Sequence, residues 1–215
     1  MTHDAETRAR VLATARRLFG ERGFMAVSVR EIVSAAKANL AAVNYHFGDK
    51  LGLYREVLQE AVDAMRETTE AMREAGRGQP PEEQLRVLVH VFMQRVLGGG
   101  SDSLHRLITR EINEPTPALD LIVEQGLRPR IEYLSGVVSR IIGCGPGDPR
   151  VLRCVASVQS QVVSYFPNPI AQRLGFRFEP TPANIDVAAR HVAEFSIAGV
   201  RSVAAAARSR RSVRA

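Results

Sequence analysis

The sequence is poor in cysteine and aromatic residues, and it has no long apolar run. Its only cysteines are Cys144 and Cys154, with nine residues between them, and tryptophan is absent. This spacing fits neither a zinc knuckle nor a redox pair, and two lone thiols favour a reducing compartment. No stretch reaches the roughly 18 apolar residues of a membrane span, and the polar N-terminus does not resemble a signal peptide. We therefore expect a cytoplasmic protein without a membrane segment.

Signatures of catalysis and cofactor binding are also missing. The glycines at 98–100 lack the preceding strand and the following Lys-Ser/Thr of a phosphate loop. His105, Glu111 and His191 do not have the spacing of metal ligands. No nucleophile–base pair or paired-carboxylate motif is present. The sequence therefore predicts no enzyme, no cofactor and no metal; the alternative is a helical enzyme that borrows a DNA-binding domain.

Positive charge is concentrated near the C-terminus. The formal net charge is +6, and residues 201–215 contain five arginines and no acidic residue. The rest of the chain is nearly neutral, so overall charge permits DNA binding without establishing it. We interpret residues 208–215 as a basic, disordered tail, with contact to DNA phosphates as the alternative.

What the sequence does contain is apolar residues at helical spacing. They recur with a period of 3.6 and almost nowhere with a period of 2, which predicts an all-α fold. Near the N-terminus, Gly23 ends a first helix. Ser28 and Glu31 then form a capping box for a short second helix, and Asn39 caps a short third one. These proportions indicate a helix-turn-helix.

A Gly- and Pro-rich segment at 76–81 marks the main internal boundary. We assign residues 1–50 to a helix-turn-helix DNA-binding domain, 51–76 to a connecting fourth helix, and 77–207 to a larger C-terminal ligand-binding and dimerisation domain. In the C-terminal part we predict helices at about 81–97, 102–112, 118–142 with a kink at Pro129, 148–166 and 182–207.

The third predicted helix carries the expected chemistry. It is too short to be stable alone, so packing must hold it and leave one side exposed. Small residues at Ala41 and Ala42 let its backbone approach base edges. Asn44 can pair with an adenine, and Arg30 on the preceding helix can pair with a guanine. The start of the fourth helix, at Asp49, offers N–H groups to a phosphate.

The same region resembles the DNA-binding domain of the TetR family. The matching pieces are LFGERGF at 18–24, SVREIV at 28–33 and NYHFGDK at 44–50. The resemblance implies phosphate contacts from Ser28, Tyr45, His46 and Lys50 and base contacts from Arg30, Ala41 and Asn44. The full predicted DNA-binding set is Ser28, Val29, Arg30, Lys37, Asn39, Leu40, Ala41, Asn44, Tyr45, His46 and Lys50.

One residue departs from the family pattern. The usual glycine of the turn is replaced by Lys37. If the turn needs a positive φ, a lysine costs roughly 1 kcal/mol relative to glycine. Either the turn is slightly altered, or the lysine is kept because it reaches the DNA backbone.

A second resemblance is to the CecR-type branch of the family. It rests on residues 41–48 and on Arg110-Glu111 followed by Glu-Pro-Thr-Pro at 114–117. It implies a regulator of efflux or drug-sensitivity genes.

Two further sets of residues are predicted in the C-terminal part. A pocket for an unidentified small-molecule inducer would combine apolar walls with a few polar groups. Its candidate residues are Phe92, His105, Ile108, Arg110, Tyr133, Gln159, Gln161 and Tyr165. Two apolar helical stripes would either fill the core or pair with a second copy in a four-helix bundle. The candidate dimer residues are Val151, Val155, Val158, Val162, Ala188, Val192, Phe195, Gly199 and Val203.

Together these features predict a homodimeric, ligand-responsive repressor of efflux, detoxification or metabolic genes that binds palindromic double-stranded DNA. Its two third helices would lie about 34 Å apart in consecutive major grooves. Inducer binding would move the fourth helix as a lever and release DNA. The alternative is a ligand-independent architectural DNA-binding protein, whose affinity would depend on the salt concentration and not on the DNA sequence.

Overall fold

The computed structural model describes the backbone of residues 3–98, 102–166 and 169–212, and over this part of the chain the fold is all-α. The helices are α1 (His3–Arg22), α2 (Val29–Ala35), α3 (Leu40–Phe47), α4 (Lys50–Ala75), α5 (Pro81–Leu97), α6 (Asp102–Asn113), α7 (Leu119–Leu121), a π-helical segment (Ile122–Leu127), α8 (Arg128–Ile142), α9 (Pro149–Val163), α10 (Pro169–Arg173) and α11 (Pro182–Ser212). Among the described residues, no helix has the length and apolar character needed to cross a membrane.

The chain divides into two compact units whose boundaries are not those expected from sequence. Unit 1 comprises residues 1–66 and 101–128, and unit 2 comprises residues 67–100 and 129–215. The helix-turn-helix segment therefore shares its unit with α6 and α7, which the sequence-based division placed in the C-terminal domain. Helix α4 contributes residues to both units.

Three aromatic rings form the centre of unit 1. The ring of Phe19 on α1 lies 5.0 Å from that of Tyr54 on α4, nearly perpendicular to it. Phe24, just after α1, packs 4.9 Å from Tyr54. Such edge and tilted arrangements are the favoured geometries of aromatic pairs. Gly23 allows the chain to turn from α1 toward this cluster because its φ is +81°.

Helix α6 is fastened to the N-terminal helices by two polar contacts. Arg110 donates a 2.8 Å hydrogen bond to the carbonyl of Glu21, in the last turn of α1, where carbonyls lack helical partners. The Tyr54 hydroxyl donates to the buried carboxylate of Glu111, and the backbone N–H and hydroxyl of Thr116 donate to its other oxygen. Burial and this carboxylate raise the pKa of Tyr54. The polar groups at this buried position are therefore paired with one another.

Unit 2 is built on α5, α8, α9 and α11. Its apolar centre includes Leu88, Val137, Val158 and Ile197. Ion pairs along one side of α11 bind it to α5. Arg86 pairs with Glu194, and Arg201 binds Glu82 with an Nε–Oε1 distance of 2.6 Å.

Several predicted elements differ from the structure. The long helix predicted at 118–142 is interrupted by the π-helical segment, which ends immediately before α8 and Pro129. Proline has no N–H to donate, so the regular hydrogen-bond pattern is disturbed there. The short helix α10 was not predicted, and α9 ends at Val163 and not at Phe166. Helix α11 extends to Ser212, into the segment predicted as a disordered tail; residues 213–215 lie outside the described part.

Candidate nucleic-acid interface

A complete capping box fixes the start of α2. The Ser28 side chain accepts a hydrogen bond from the Glu31 N–H, while the Ser28 N–H and hydroxyl both donate to the Glu31 carboxylate at 2.8 Å. Arg22 at the end of α1 also donates to this carboxylate. The hydrogen bonds from Ser28 and the nearby Arg22 lower the pKa of Glu31 to about 2. The start of α2, and with it Arg30, is thereby held against α1.

Helix α3 is held by its cap and by two buried side chains. The Asn39 side chain accepts a 2.8 Å hydrogen bond from the Ala42 N–H, as expected for a residue that caps a helix. Val43 is fully buried and Phe47 nearly so. The opposite side of the helix is open. We call this exposed surface the recognition face; it consists of Leu40, Ala41, Asn44 and Tyr45.

The recognition face has the composition expected for contact with DNA. Tyr45 is 80% exposed, which is unusual for so large an aromatic side chain. Asn44 is exposed one residue before it, and Ala41 is one turn earlier on the same side. Ser28 and Arg30 at the start of α2 are also exposed, whereas Val29 is half-buried against the core of unit 1.

The turn between α2 and α3 keeps a backbone conformation that usually requires glycine. Lys37 has φ +50°, and no other non-glycine residue in the described part of the chain has a positive φ. The next residue, Ala38, closes the turn by donating a 2.9 Å hydrogen bond to the Val33 carbonyl. The turn is therefore not rearranged to suit a lysine. The backbone of Lys37 adopts the left-handed conformation at an energetic cost, and its side chain is exposed.

Two of the residues predicted to contact phosphates also have partners within unit 1. The His46 side chain is only 9% exposed, and its Nε2 lies 3.1 Å from a carboxylate oxygen of Asp4 on α1. The Lys50 ammonium lies 4.3 Å from the centre of the Phe24 ring, and partial burial lowers the pKa of Lys50. In this arrangement both residues join α3 and α4 to the rest of unit 1. Helical periodicity could not reveal this, because the partners are distant in sequence.

The first turn of α4 contains a packing requirement that sequence reasoning missed. A Cβ at Gly52 would collide with the carbonyl oxygen of Phe47 at the end of α3. The Gly52 N–H is already bound by the Asp49 carboxylate at 2.7 Å. This one N–H is therefore not free for a phosphate. A glycine within an otherwise regular helical pattern was the available signal.

The structure divides the predicted inducer residues between the two units. Ile108 and Arg110 belong to unit 1, where Ile108 packs against the core and Arg110 binds the Glu21 carbonyl. Arg110 was assigned to the pocket because local patterns cannot show a partner 89 residues away. The side chain of His105 lies outside the described residues.

The other five predicted pocket residues belong to unit 2. Phe92 is buried and Tyr133 half-buried, and the Tyr133 hydroxyl faces the Met72 carbonyl. The Gln161 amide donates to the Ser196 hydroxyl at 3.2 Å. Gln159 is partly exposed, and the ring of Tyr165 packs against another aromatic ring.

Most of the predicted dimer residues are inside unit 2. Val151, Val155, Val158, Val162, Ala188 and Val192 all belong to the buried apolar cluster of the monomer. Val203 is half-buried against that cluster, whereas Phe195 and Gly199 are exposed. The neighbouring side of the same two helices carries exposed apolar residues. We call this surface the apolar stripe; it consists of Leu152 and Val163 on α9 and Val187 and Phe195 on α11, each between 51% and 63% exposed.

Among the described residues, no three His, Cys, Asp or Glu side chains are grouped so that they could hold a metal ion. Of the residues considered at the outset, Glu111 is engaged by Tyr54 and Thr116 in unit 1, whereas His191 lies on α11 of unit 2. Both cysteines are free thiols.

The capped α2, the glycine-like turn and the exposed face of α3 define a helix-turn-helix protein. A family model for bacterial regulatory proteins of the tetR family matches residues 11–57. A second model, for the C-terminal domain of the HTH-type transcriptional dual regulator CecR, matches residues 81–200, more than half of the chain. The chain therefore belongs to the TetR family of DNA-binding transcriptional regulators and has a C-terminal domain of the CecR type.

Individual relatives agree with this assignment. The dual regulator CecR of Shigella flexneri is 27% identical over 169 residues, which are 74% of this chain and 75% of that protein. The TetR-family regulator SCO4454 of Streptomyces coelicolor is similar in fold, with a TM-score of 0.64 at 18% identity over 92% of this chain and 97% of that one. The regulator PfmR of Thermus thermophilus gives a TM-score of 0.60 at 21% identity, over 87% and 97% of the two chains. The all-α TetR fold predicted from sequence is confirmed.

Proposed function

We propose that the protein is a ligand-responsive repressor that binds a palindromic operator as a homodimer in the cytoplasm. The observation that carries the proposal is the recognition face. Its Asn44 can bind an adenine through two hydrogen bonds, and the small side chain of Ala41 permits close approach to the groove. Tyr45 and Lys37 are exposed beside it and can contact phosphates.

The apolar stripe supports the dimer. Exposed leucine, valine and phenylalanine side chains on two helices are a feature of protein-binding surfaces, since water solvates them poorly. Pairing of α9 and α11 with the same helices of a second copy would cover them in a two-fold arrangement. A dimer also explains how a short helix could bind tightly, because a palindromic operator offers two half-sites about one helical turn apart.

Response to a ligand is supported by the continuity of α4. This helix runs without interruption from Lys50, next to the recognition face, to Ala75 in unit 2. A ligand bound in unit 2 that favours one position of α4 would change the operator affinity by the difference in its affinity for the two states. Efflux, detoxification or metabolic genes are the proposed targets.

The proposal is tested by fluorescence anisotropy at physiological salt, with the DNA flanking the protein's own gene and a scrambled duplex for comparison. We expect tight binding to one palindromic stretch. Asn44→Ala and Tyr45→Ala should each weaken it by at least tenfold, because each removes a base or phosphate contact. Asn113→Ala is the matched control, since Asn113 is an exposed asparagine of unit 1 on α6 that binds its own helix.

The contrary outcomes are also distinct. Equal and salt-sensitive binding to both duplexes would favour an architectural DNA-binding protein. Failure of the folded dimer to bind any duplex would contradict the proposal altogether.

A further inference from the structure

Arg130, near the start of α8, has a positive charge with no acidic partner among the described residues. Among the described residues, Nε of Arg130 is the one buried side-chain nitrogen or oxygen that lacks a hydrogen-bond partner. The guanidinium lies over the ring of Phe92 on α5, 4.2 Å from the ring centre. Burial lowers the pKa of Arg130 to about 10, and no carboxylate in the described part of the chain offsets that effect.

Other arginines of unit 2 are placed differently. Arg86 and Arg201 bind glutamates on a neighbouring helix, and these carboxylates raise the pKa of both guanidinium groups. Their charges are therefore neutralised where they lie. In the described part of the chain, Arg130 faces an aromatic ring, which attracts a cation but neither neutralises it nor accepts the Nε–H hydrogen bond as an oxygen would.

An unpartnered buried cation destabilises a folded protein, and an apolar side chain of similar length would pack there without that cost. Nε itself is shielded from solvent, whereas Arg130 as a whole retains partial exposure, so a ligand would reach Nε through a local shift of the neighbouring side chains. Arg73, which lies close by, donates to the Pro129 carbonyl and lies over the Tyr133 ring, but its own charge is paired with Glu70. The position therefore combines the charge of Arg130 with the apolar cluster to which Phe92 and Leu134 belong.

We propose that Arg130 binds the carboxylate of a small amphipathic ligand whose apolar part packs against the Phe92 side of unit 2. This inference rests on the ligand-responsive function proposed above and specifies the chemical class of the ligand. A guanidinium can bind a carboxylate through two parallel hydrogen bonds, one of which would satisfy Nε. An apolar tail is expected because the group that faces the guanidinium, the Phe92 ring, belongs to the apolar cluster of unit 2. Binding would then supply both the missing acceptor and the missing negative charge.

The test compares a carboxylate with a neutral molecule of the same shape. Octanoate and octanamide are titrated into the intact protein, and binding is followed by thermal shift and by calorimetry. We expect octanoate to raise the Tm and octanamide to bind at least tenfold more weakly. In Arg130→Met the octanoate Kd should increase at least tenfold, while the Tm of the unliganded variant should equal or exceed that of the wild type.

Two further variants separate a ligand-binding role from a structural one. Arg140→Met, which removes an exposed arginine of the same helix, should keep the octanoate response. Arg130→Lys keeps the charge but loses the planar pair of donors, so its response should fall between those of the wild type and Arg130→Met. An Arg130→Met protein that unfolds or loses several degrees of Tm without ligand would contradict the inference, because the arginine would then be structural.

The inference would be overturned if octanoate and octanamide gave equal responses, if neither bound, or if Arg130→Met bound octanoate as the wild type does. Operator binding of the same preparations without octanoate is measured in parallel. Normal operator binding with no carboxylate preference would reject the ligand class but leave the regulator intact. Carboxylate binding through Arg130 in a protein that binds no operator would reject the proposed function instead.

Discussion

Two exposed helical faces, one in each compact unit, differ in chemistry. The recognition face on α3 presents Leu40, the small Ala41, the polar Asn44 and Tyr45, whose ring carries a hydroxyl. The apolar stripe on α9 and α11 presents aliphatic side chains and Phe195, whose ring has no polar group. Both faces lie beside fully buried residues of the same helices, so both are held in place by a packed core. The first suits a hydrated groove lined with phosphates, and the second suits another protein surface.

The comparison shows that an interface cannot be identified by apolar spacing alone. The most regular apolar residues of α9, such as Val151, Val155 and Val158, fill the monomer core. Leu152, only one position away from Val151, is half exposed. A helix that serves both a core and a partner has two adjacent apolar sides, and only tertiary structure distinguishes them.

The largest expected effect comes from placing a charge in the apolar stripe. Phe195→Asp should convert the proposed dimer to a monomer and weaken operator binding by at least a hundredfold, because it would bury an unpaired carboxylate at the proposed subunit contact. Sedimentation velocity and anisotropy measure the two effects. Phe176→Asp is the matched control, because Phe176 is also exposed, at 74% against 62% for Phe195, but lies outside the stripe. Persistence of the Phe195→Asp dimer would show that the stripe does not form the subunit contact.

A smaller effect is expected in the turn beside the recognition face. Lys37→Gly should raise the free energy of unfolding by about 1 kcal/mol, since glycine adopts a positive φ without a Cβ penalty. Lys37→Ala removes the same charge but keeps that penalty, so it should not stabilise. If Lys37 contacts a phosphate, both variants should reduce the slope of log affinity against log salt by about one. An unchanged slope would leave backbone geometry as the only role of this position.

The smallest effect is expected at the capping box behind the recognition face. Because the pKa of Glu31 is about 2 in the folded protein and ordinarily 4.5, ionisation of this carboxylate favours folding. Its contribution is complete above about pH 4.5 and is lost as the pH falls toward 2. Glu31→Gln should therefore lower the Tm at neutral pH, and its difference from the wild type should shrink across that range.

Circular dichroism melts at a series of pH values measure this difference. Glu132→Gln, a change at an exposed acid of unit 2, is the control and should not reproduce the pattern. A Glu31→Gln difference that stays constant down to pH 2 would contradict the role assigned to the ionised carboxylate.

Local features of the sequence were sufficient to predict the helix-turn-helix. The Ser28–Glu31 box, the Asn39 cap and Gly23 act within a few residues of themselves, so their geometry could be read from spacing. The bounds of α5 were predicted correctly for the same reason, because Pro81 starts the helix and glycine follows it.

Features that depend on distant partners could not be read in this way. His46 was expected at phosphates, but it packs beside Asp4, 42 positions earlier. Arg110 was expected in a pocket, but it donates to the end of α1. The unpaired charge of Arg130 was not predicted, because an arginine on a helix is ordinarily solvated or paired. Its lack of an acidic partner among the described residues depends on how the neighbouring helices pack, which the sequence does not show.

The attachment of α6 to α1 and α4 has a consequence for how the protein is made. Tyr54 and Glu111 are 57 residues apart, and Arg110 reaches a carbonyl 89 residues earlier. Unit 1 is therefore discontinuous in the chain and requires residues 101–128 as well as the first 66. During synthesis the ribosome must translate the whole intervening part of unit 2 before the N-terminal helices receive their last partners. A nascent chain that stops at the end of α4 thus lacks both polar contacts that fasten the DNA-binding helices.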